Sequence, residues 1–567
     1  MSKPIKQNLG FGKATVEAGH FRFHPGDNRL IKVHIGFAFF ALLIGALAGL
    51  LQTLQRTGVI TLPSPIGYYQ LLTLHGVSLA LVFTTFFIIG FFFSGMAKTT
   101  GGKLAARERN WGWIGFFLML GGTVLALIPI LTNDASVLYT FYAPLKADPF
   151  FYVGLAAVVI GSWCSSITIF LAFARWRKEN PGESSPLYAY MAVATMILWD
   201  ICSIGVAMEV VLQLIPWSLG LIERVDVTLS RTLFWYFGHA LVYFWLLPAY
   251  TYWYVNVPRL IKGRIFSNSL PRLTFILFIL YSIPVGFHHQ LNEPGISPLW
   301  KFVQTVLTFF VVIPSFLTAF SLLATFELAG RSQGGKGLLG WLTKLPYKDV
   351  RFLAPFLGMV IFVPAGIGGI INASYQLNQV VHNTLWVTGH FHLTVATSVV
   401  LTFFGISYML VPLLTGRKLT RFANNLGILQ AVVWLLGMAL MSGAMHYVGL
   451  LGEPRRISYS NYGNHAVVQE WEPYRQVIAW GGGFLFAGII LFLFISLYLW
   501  FIAPKADVPN EYPVGEVLEG QQKPPYLLDC WGIWIGVTVA LILFAYTIPV
   551  MQMFFHPAPG ALPMRTW

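Results

Sequence analysis

Along most of this chain apolar residues run for twenty or more positions with almost no charge, and the runs are separated by short stretches rich in Lys, Arg, Pro and Gly. About 20 mainly apolar residues carry an α-helix across the hydrocarbon of a bilayer. The pattern predicts thirteen such helices, at 32–54, 68–95, 111–131, 150–174, 188–216, 229–257, 271–290, 299–327, 350–372, 380–412, 427–450, 474–502 and 529–553. The predicted fold class is therefore all-α, a polytopic membrane helix bundle. Residues 1–31 are polar and basic and lack the short apolar core and small-residue cleavage site of a secretory signal, so they read as a retained cytoplasmic tail. Residues 32–502 form a twelve-helix core. The segment 503–528, with Asp507, Glu511, Glu516 and Glu519 among its prolines, reads as a cytoplasmic surface linker, and 529–567 as a thirteenth helix with an outer tail.

Composition narrows the function. Of 567 residues 56% are hydrophobic and only 10% charged, far below the roughly 25% of soluble domains. The chemistry must lie inside the bilayer. Lys and Arg number 36 against 22 Asp and Glu, a net charge of +14, yet the basic residues are scattered over short loops instead of one face, so no nucleic-acid partner is implied. With the amino terminus in the cytoplasm most of them fall on the inner side, including Lys98, Lys103, Arg175, Arg177, Arg259 and Arg264, as the positive-inside rule requires. Cys164, Cys202 and Cys530 are far apart. They make neither a thiolate metal site nor a disulfide framework, so any metal needs other ligands.

Histidine supplies the chemical signal. An ionisable residue within a span is a functional hypothesis by default, and six histidines fall in the outer half of predicted spans: His75, His239, His288, His289, His390 and His392. One buried histidine is ordinarily a hydrogen-bonded structural residue; six at a common depth are a pattern. In Gly389-His390-Phe391-His392 the two imidazoles lie two residues apart, hence about 200° around a helix, and cannot share one small ion. They must serve two centres. Imidazole is a usual axial ligand of haem iron, so one of them could share a haem with His75 while the other leaves a second iron one open position. His288-His289 follows Pro284 and Gly286, which can distort the helix end and turn neighbouring imidazoles toward one centre. With His239 they offer three nitrogens, a set that suits copper or zinc, and beside a haem the redox-active metal is favoured.

The sixth span carries a further stripe. At about 100° per residue, His239, Tyr243, Tyr250 and Tyr254 fall within about 60° of one another and extend about 22 Å toward the inner surface. Their hydroxyls, with Thr308, Ser315, Thr318 and Ser321 of span eight, can pass protons, although intramembrane hydroxyls often only satisfy helix carbonyls. Asp200 and Glu209 of span five lie on nearly opposite faces and read as structural pairs or proton-transfer groups.

Over Trp235–Tyr250 (WYFGHALVYFWLLPAY), Val285–Gln290 (VGFHHQ) and His382–Leu393 (HNTLWVTGHFHL) the sequence resembles subunit I of the haem-copper oxygen reductases, specifically the B family. The resemblance implies that His75 and His392 ligate a low-spin haem b, His390 a high-spin haem of a or o type, and His239, His288 and His289 the copper called CuB. Tyr243 matches the tyrosine that the family links covalently to the first copper ligand, four residues away on the same helical face. Tyr250, Tyr254, Ser267, Thr308, Ser315, Thr318 and Ser321 match a single proton-input path, and His382, Asn378, Arg455 and Arg456 the surroundings of the haem propionates. Three departures stand out. Ala240 replaces the usual proline after the first copper ligand, Leu241 stands where another branch has a proton-carrying glutamate, and Asn378 replaces an aspartate near the propionates. The implied function is reduction of O2 to water, coupled to proton uptake from the cytoplasm and proton pumping, in a bacterial or archaeal plasma membrane. A partner subunit II holding dinuclear CuA and a cytochrome c donor are implied, with quinol as another donor. A nitric oxide reductase of the same superfamily and a non-redox transporter are the competing readings; Tyr243 speaks against the first, the opposed histidines of span ten against the second.

Overall fold

The computed structural model describes residues 20–565. Its long helices are α1 (Pro25–Arg56), α2 (Tyr68–Thr99), α3 (Ala106–Leu131), α4 (Pro149–Glu179), α5 (Leu187–Ser218), α6 (Val227–Thr251, continued through Val257–Leu260), α7 (Ser269–Ser282), α8 (Pro298–Ser332), α9 (Val350–Ala373), α10 (Leu385–Thr415), α11 (Arg421–Leu450), α12 (Ala466–Ile502) and α13 (Trp531–Phe555). Among the described residues, twelve helices are long and apolar enough to cross a membrane by length and composition. The remaining one is α6, whose apolarity is diluted by His239 and by its tryptophans and tyrosines. The apolar stretch of α10 is wholly enclosed, whereas only 22% of that of α13 is. The helix with two of the six histidines is thus the centre of the bundle, and α13 lies at its edge.

Three elements depart from the predicted spans by seven residues or more: α1, the end of the α7 helix, and α12, which starts at Ala466 instead of 474. α1 starts at Pro25, inside the segment read as tail. Its first turn looks like tail because it is charged, yet Asp27 is buried, paired with Arg109 at 3.2 Å and accepting the Leu104 amide at 3.0 Å. Residues 1–19 of the predicted tail lie outside the described residues. The seventh span reaches Gln290 as expected, but its α-helix ends at Ser282, and after Pro284 and Gly286 the chain makes a tight turn, Phe287–Gln290. A proline lacks the donor that a continuing helix needs.

Several spans widen locally to π-type turns, among them Val77–Phe83, just after His75, and His392–Val399, which starts at His392. Such bulges concentrate at functional sites because they re-aim side chains against the helical register. Elsewhere the packing is very close. α3 and α4 meet through glycines: a Cβ on Gly122 would lie 2.5 Å from the Gly154 carbonyl oxygen, and one on Gly154 2.5 Å from the Ala126 nitrogen. Small residues at such positions let membrane helices approach backbone to backbone.

The segment 503–528 is an ordered strap across the helix ends that carry Arg259, Arg264 and Arg417. Asn510 Nδ2 donates to the Pro412 and Arg417 carbonyls, Tyr512 Oη lies 3.0 Å from Ser94 Oγ, and Gly515 N donates to Val255 O at 2.7 Å. Glu511 pairs with Arg259 and Glu519 with Arg264, each at 2.5 Å.

Gly122→Val is expected to lower the stability of the detergent-solubilised protein by about 1–3 kcal/mol, the usual range for overpacking a filled interface. Gly121→Val, with nothing within 4 Å of its Cβ, should leave it nearly unchanged. Thermal unfolding of both variants checks this.

Candidate metal centres

The three imidazoles of His239, His288 and His289 converge. One ligand nitrogen from each lies within 4.8 Å of the other two, and the ring centres are 4.3 Å (His239 to His288), 4.2 Å (His288 to His289) and 5.4 Å (His239 to His289) apart. α6 supplies the first, and the turn after the broken end of α7 supplies the other two. Trp235, one helical turn before His239, stacks on the His289 ring at 3.8 Å with an interplanar angle of 5°. Thr308 donates its hydroxyl proton to Gln304 O at 2.7 Å, so its oxygen, 3.1 Å from His288 Nδ1, accepts from that nitrogen. His288 Nε2 is then left with a lone pair. His239 Nδ1 lies 3.2 Å from His289 Nε2, and its Nε2 is buried with no hydrogen-bond partner. Three neutral nitrogens with no carboxylate or thiolate among them fit a borderline cation, copper or zinc. Tyr243 follows on the same face of α6, its ring 5.3 Å from that of His239.

A second arrangement lies between α2 and α10. The rings of His75 and His392 are parallel within 9° and 6.3 Å apart, too far for stacking contact. Each donates from Nδ1 to a backbone carbonyl, His75 to Gly45 at 2.9 Å and His392 to Thr388 at 2.8 Å, which leaves Nε2 as the ligand atom. Two imidazole–metal bonds of about 2.0–2.1 Å, each extended about 1.1 Å to the ring centre, span about 6.3 Å. Both rings could therefore hold one metal between them. Both rings line a cavity of about 270 Å³ whose other walls include Leu79, Phe83, Trp245 and Met441, with Arg56, Arg455 and Arg456 also lining it. A largely apolar slot with guanidinium groups suits a flat, apolar dicarboxylate such as haem.

His390 belongs to neither group. It faces α9, where a Cβ on Gly368 would lie 2.5 Å from its Nδ1, and this nitrogen is buried without a partner. The opposition of His390 and His392 expected from their spacing is thus present.

The residues matched to propionate surroundings divide into two sets. Arg455 donates to Asn383 Oδ1 at 2.9 Å, and the guanidinium groups of Arg456 and Arg231 both lie 5.0 Å from the Tyr142 ring centre. His382 Nδ1 is 3.1 Å from Asn378 Oδ1, and Asn378 Nδ2 donates to Asn372 O at 2.7 Å. Glu293 joins the second set, with Arg231 at 2.6 Å and His382 Nε2 at 3.8 Å. The His382 imidazole first, then the Arg231 charge, hold the Glu293 carboxyl below the ordinary glutamate range, against the opposing effect of burial. Sequence reading missed Glu293, and also Glu453, which is buried with Arg56 at 3.3 Å and Arg475 at 3.1 Å and so anchors the turn carrying Arg455 and Arg456.

Of the hydroxyl residues, Tyr250 lies beside Ser315 and Thr318. The Tyr254 hydroxyl lies near Thr318, Thr274 and Ser321 but in hydrogen-bond geometry with none; the hydroxyls of Tyr254, Thr274 and Ser321 are buried and unpartnered. Buried polar groups left open like this are satisfied by internal water. Thr274 was not legible as part of the stripe because it comes from α7. Thr308 stands at the three-imidazole end, and Ser267 stands apart, accepting the Leu270 amide at the start of α7. Asp200 and Glu209 join neither centre. Asp200 accepts from Ser166 and the fully buried Glu209 from Ser230, each at 2.7 Å.

The pattern of the family described as Cytochrome C and Quinol oxidase polypeptide I matches residues 29–485. Cytochrome c oxidase subunit 1 of Thermus thermophilus is 41% identical over 556 residues, 93% of this chain and 95% of that protein. The subunit 1 of Thermostichus vulcanus is 25% identical over 92% of this chain and 91% of its own length. A cryo-EM structure of a haem-copper terminal oxidase dimer superposes with a TM-score of 0.89 at 35% identity, covering 96% of both chains. Bundle and imidazole sites together define the catalytic subunit of a terminal oxidase. The chain belongs to the cytochrome c and quinol oxidase polypeptide I family.

Because the Glu293 carboxyl is held below its ordinary value of 4.5, its ionised form stabilises the fold above that pH, and this contribution is lost as pH falls through the lower folded-state value. Acid unfolding of the purified protein should show this loss, and Glu293→Gln should lack that part of the pH dependence.

Proposed function

We propose that this chain is the oxygen-reducing subunit of a B-type haem-copper oxidase in a bacterial or archaeal plasma membrane, with its amino terminus in the cytoplasm. The observation that carries the reading is the pairing of two imidazole sets within one bundle, parallel rings 6.3 Å apart and a trio within 4.8 Å. In this reading His75 and His392 hold a low-spin haem b, His390 a high-spin haem of a or o type, and His239, His288 and His289 hold CuB. When bound, these groups supply the electrons and the coordination positions with which O2 is reduced to water. The B-type reading is supported by the 41% identity to the Thermus subunit and by Leu241, which cannot carry a proton where another branch of the family has glutamate.

The chain's own residues then divide the work. The carbonyls of Gly45 and Thr388 fix the tautomers of His75 and His392, and Thr308 fixes that of His288. Tyr243, beside His239, can give up a proton and an electron together, which spares the site the release of partly reduced oxygen. Protons reach it from the cytoplasmic side past Tyr254, Thr318, Ser315 and Tyr250, with Thr274 and Ser321 flanking the chain. Each charge moved across the membrane works against about 2.3 kcal/mol per 100 mV, so taking protons from one side and electrons from the other conserves redox energy, and pumping adds to it. Arg455, Arg456 and Arg56 are placed to neutralise haem carboxylates. Asn378 cannot accept a proton, and Glu293, kept ionised by His382 and Arg231, stands beside it as a fixed negative charge. The electron donor in this reading is cytochrome c, through a subunit II that carries CuA; quinol is the alternative that the family description leaves open.

His239→Ala should abolish oxygen consumption and remove copper while leaving the low-spin haem spectrum intact; normal turnover would refute the assignment. Tyr254→Phe should slow proton uptake by about tenfold or more, since a proton-transfer group acting directly is worth about 10²–10⁴. Proton uptake measured by stopped flow at the wild-type rate would refute the path alone.

A further inference from the structure

The first half of α8, Pro298–Phe309, has its polar side turned inward. Leu299 and Phe302 are 62% and 65% exposed toward the membrane, while Lys301, Gln304, Thr305 and Thr308, at helical spacing, are buried. A buried polar stripe costs stability where its groups lack partners, and here Thr305 Oγ1 alone of the four has none. Three of these side chains find theirs in the segment 286–293, which bears His288 and His289. Lys301 Nζ donates to the carbonyls of Leu291 (2.8 Å) and Glu293 (2.7 Å), and Thr308 meets His288 Nδ1.

Gln304 makes the central contact. It is fully buried, and its Oε1 accepts both the Gly286 and Phe287 amides, at 2.8 and 2.9 Å. These amides lie past the end of α7 and have no helical carbonyl to bond. On the other side Gln304 Nε2 donates to the Ala545 carbonyl of α13 at 3.2 Å. The turn has no slack to compensate for a lost bond: a Cβ on Gly286 would lie 2.6 Å from Tyr546 Oη and 2.8 Å from the Trp235 carbonyl. An uncharged amide offers both an oxygen that takes two N–H groups and a nitrogen that gives one.

We propose that Gln304 is a positioning residue of the three-imidazole site, fixing the Gly286–Phe287 peptides and hence the aim of His288 and His289, and bracing them against α13. The inference rests on the reading of that trio as a copper site.

The test compares the purified wild-type complex with Gln304→Met, Gln304→Asn and Gln304→Glu. It measures copper per iron, the rate of copper loss to a chelator, and the infrared band of carbon monoxide bound to copper, with the low-spin haem spectrum as control for folding. Gln304→Met and Gln304→Asn should lose copper about ten- to a hundredfold more readily, the range for removing a group that orients a metal ligand, and broaden the band. Gln304→Glu, which keeps an oxygen for the two amides, should restore a narrow band. Wild-type copper retention and band width in Met and Asn variants that keep the low-spin spectrum would overturn the proposal, as would a Glu variant as leaky as Met. Should the Met variant lose the low-spin spectrum, the Asn variant decides by the same criteria. A wild-type complex without copper would instead overturn the copper reading itself.

Discussion

An imidazole inside a bilayer has two nitrogens and no water to satisfy them, and this constraint shapes the centre of the molecule. Three of the six rings take a protein partner at one nitrogen and leave the other nitrogen free. His75 and His392 meet the constraint with backbone carbonyls, and His288 with a threonine that has already committed its proton elsewhere. In each case the partner also selects the free nitrogen. A tautomer set by a main-chain carbonyl cannot drift, because the carbonyl is part of a helix.

Irregular backbone adjoins four of the six rings. His75 precedes a widened turn, His392 opens another, and His288 and His289 lie where α7 has given out. Side chains recover freed backbone groups: Thr397 and Ser398 of α10 itself donate to the His392 and Leu393 carbonyls, Trp434 of α11 to that of Ala396, and Gln304 takes the Gly286 and Phe287 amides. The regular parts of the bundle, such as the glycine contact of α3 and α4, hold these weaker places in register. Backbone irregularity of this sort is tolerated at membrane depth only where protein encloses it, as the central position of α10 ensures.

Much of this was legible in the sequence. Thirteen spans follow from apolar run length alone, and even α6, the least apolar, stands out by its bounds. The opposition of His390 and His392 follows from a spacing of two on a helix, and the convergence of His239 with His288-His289 from depth and from the helix-breaking Pro284. What was not legible depends on distant pairings. Nothing about Glu453 marks it until Arg56, 397 residues earlier, is seen beside it. Thr274 belongs to a different helix from the tyrosines it flanks, and Gln304 resembles any residue on a membrane helix until the inward direction of its face is known. The start of α1 was missed for the opposite reason. Its charges look solvent-bound, but Asp27 is buried against Arg109.

The strap between α12 and α13 bears on how the protein is made. Its ties to α2, α6 and α10 join the last ninth or so of the chain to segments translated before it. A nascent chain emerges amino terminus first, so these ties of the earlier helices form only after the ribosome has passed Glu519. All six histidines of the imidazole sites, the last at position 392, are thus already in place before the clasp closes.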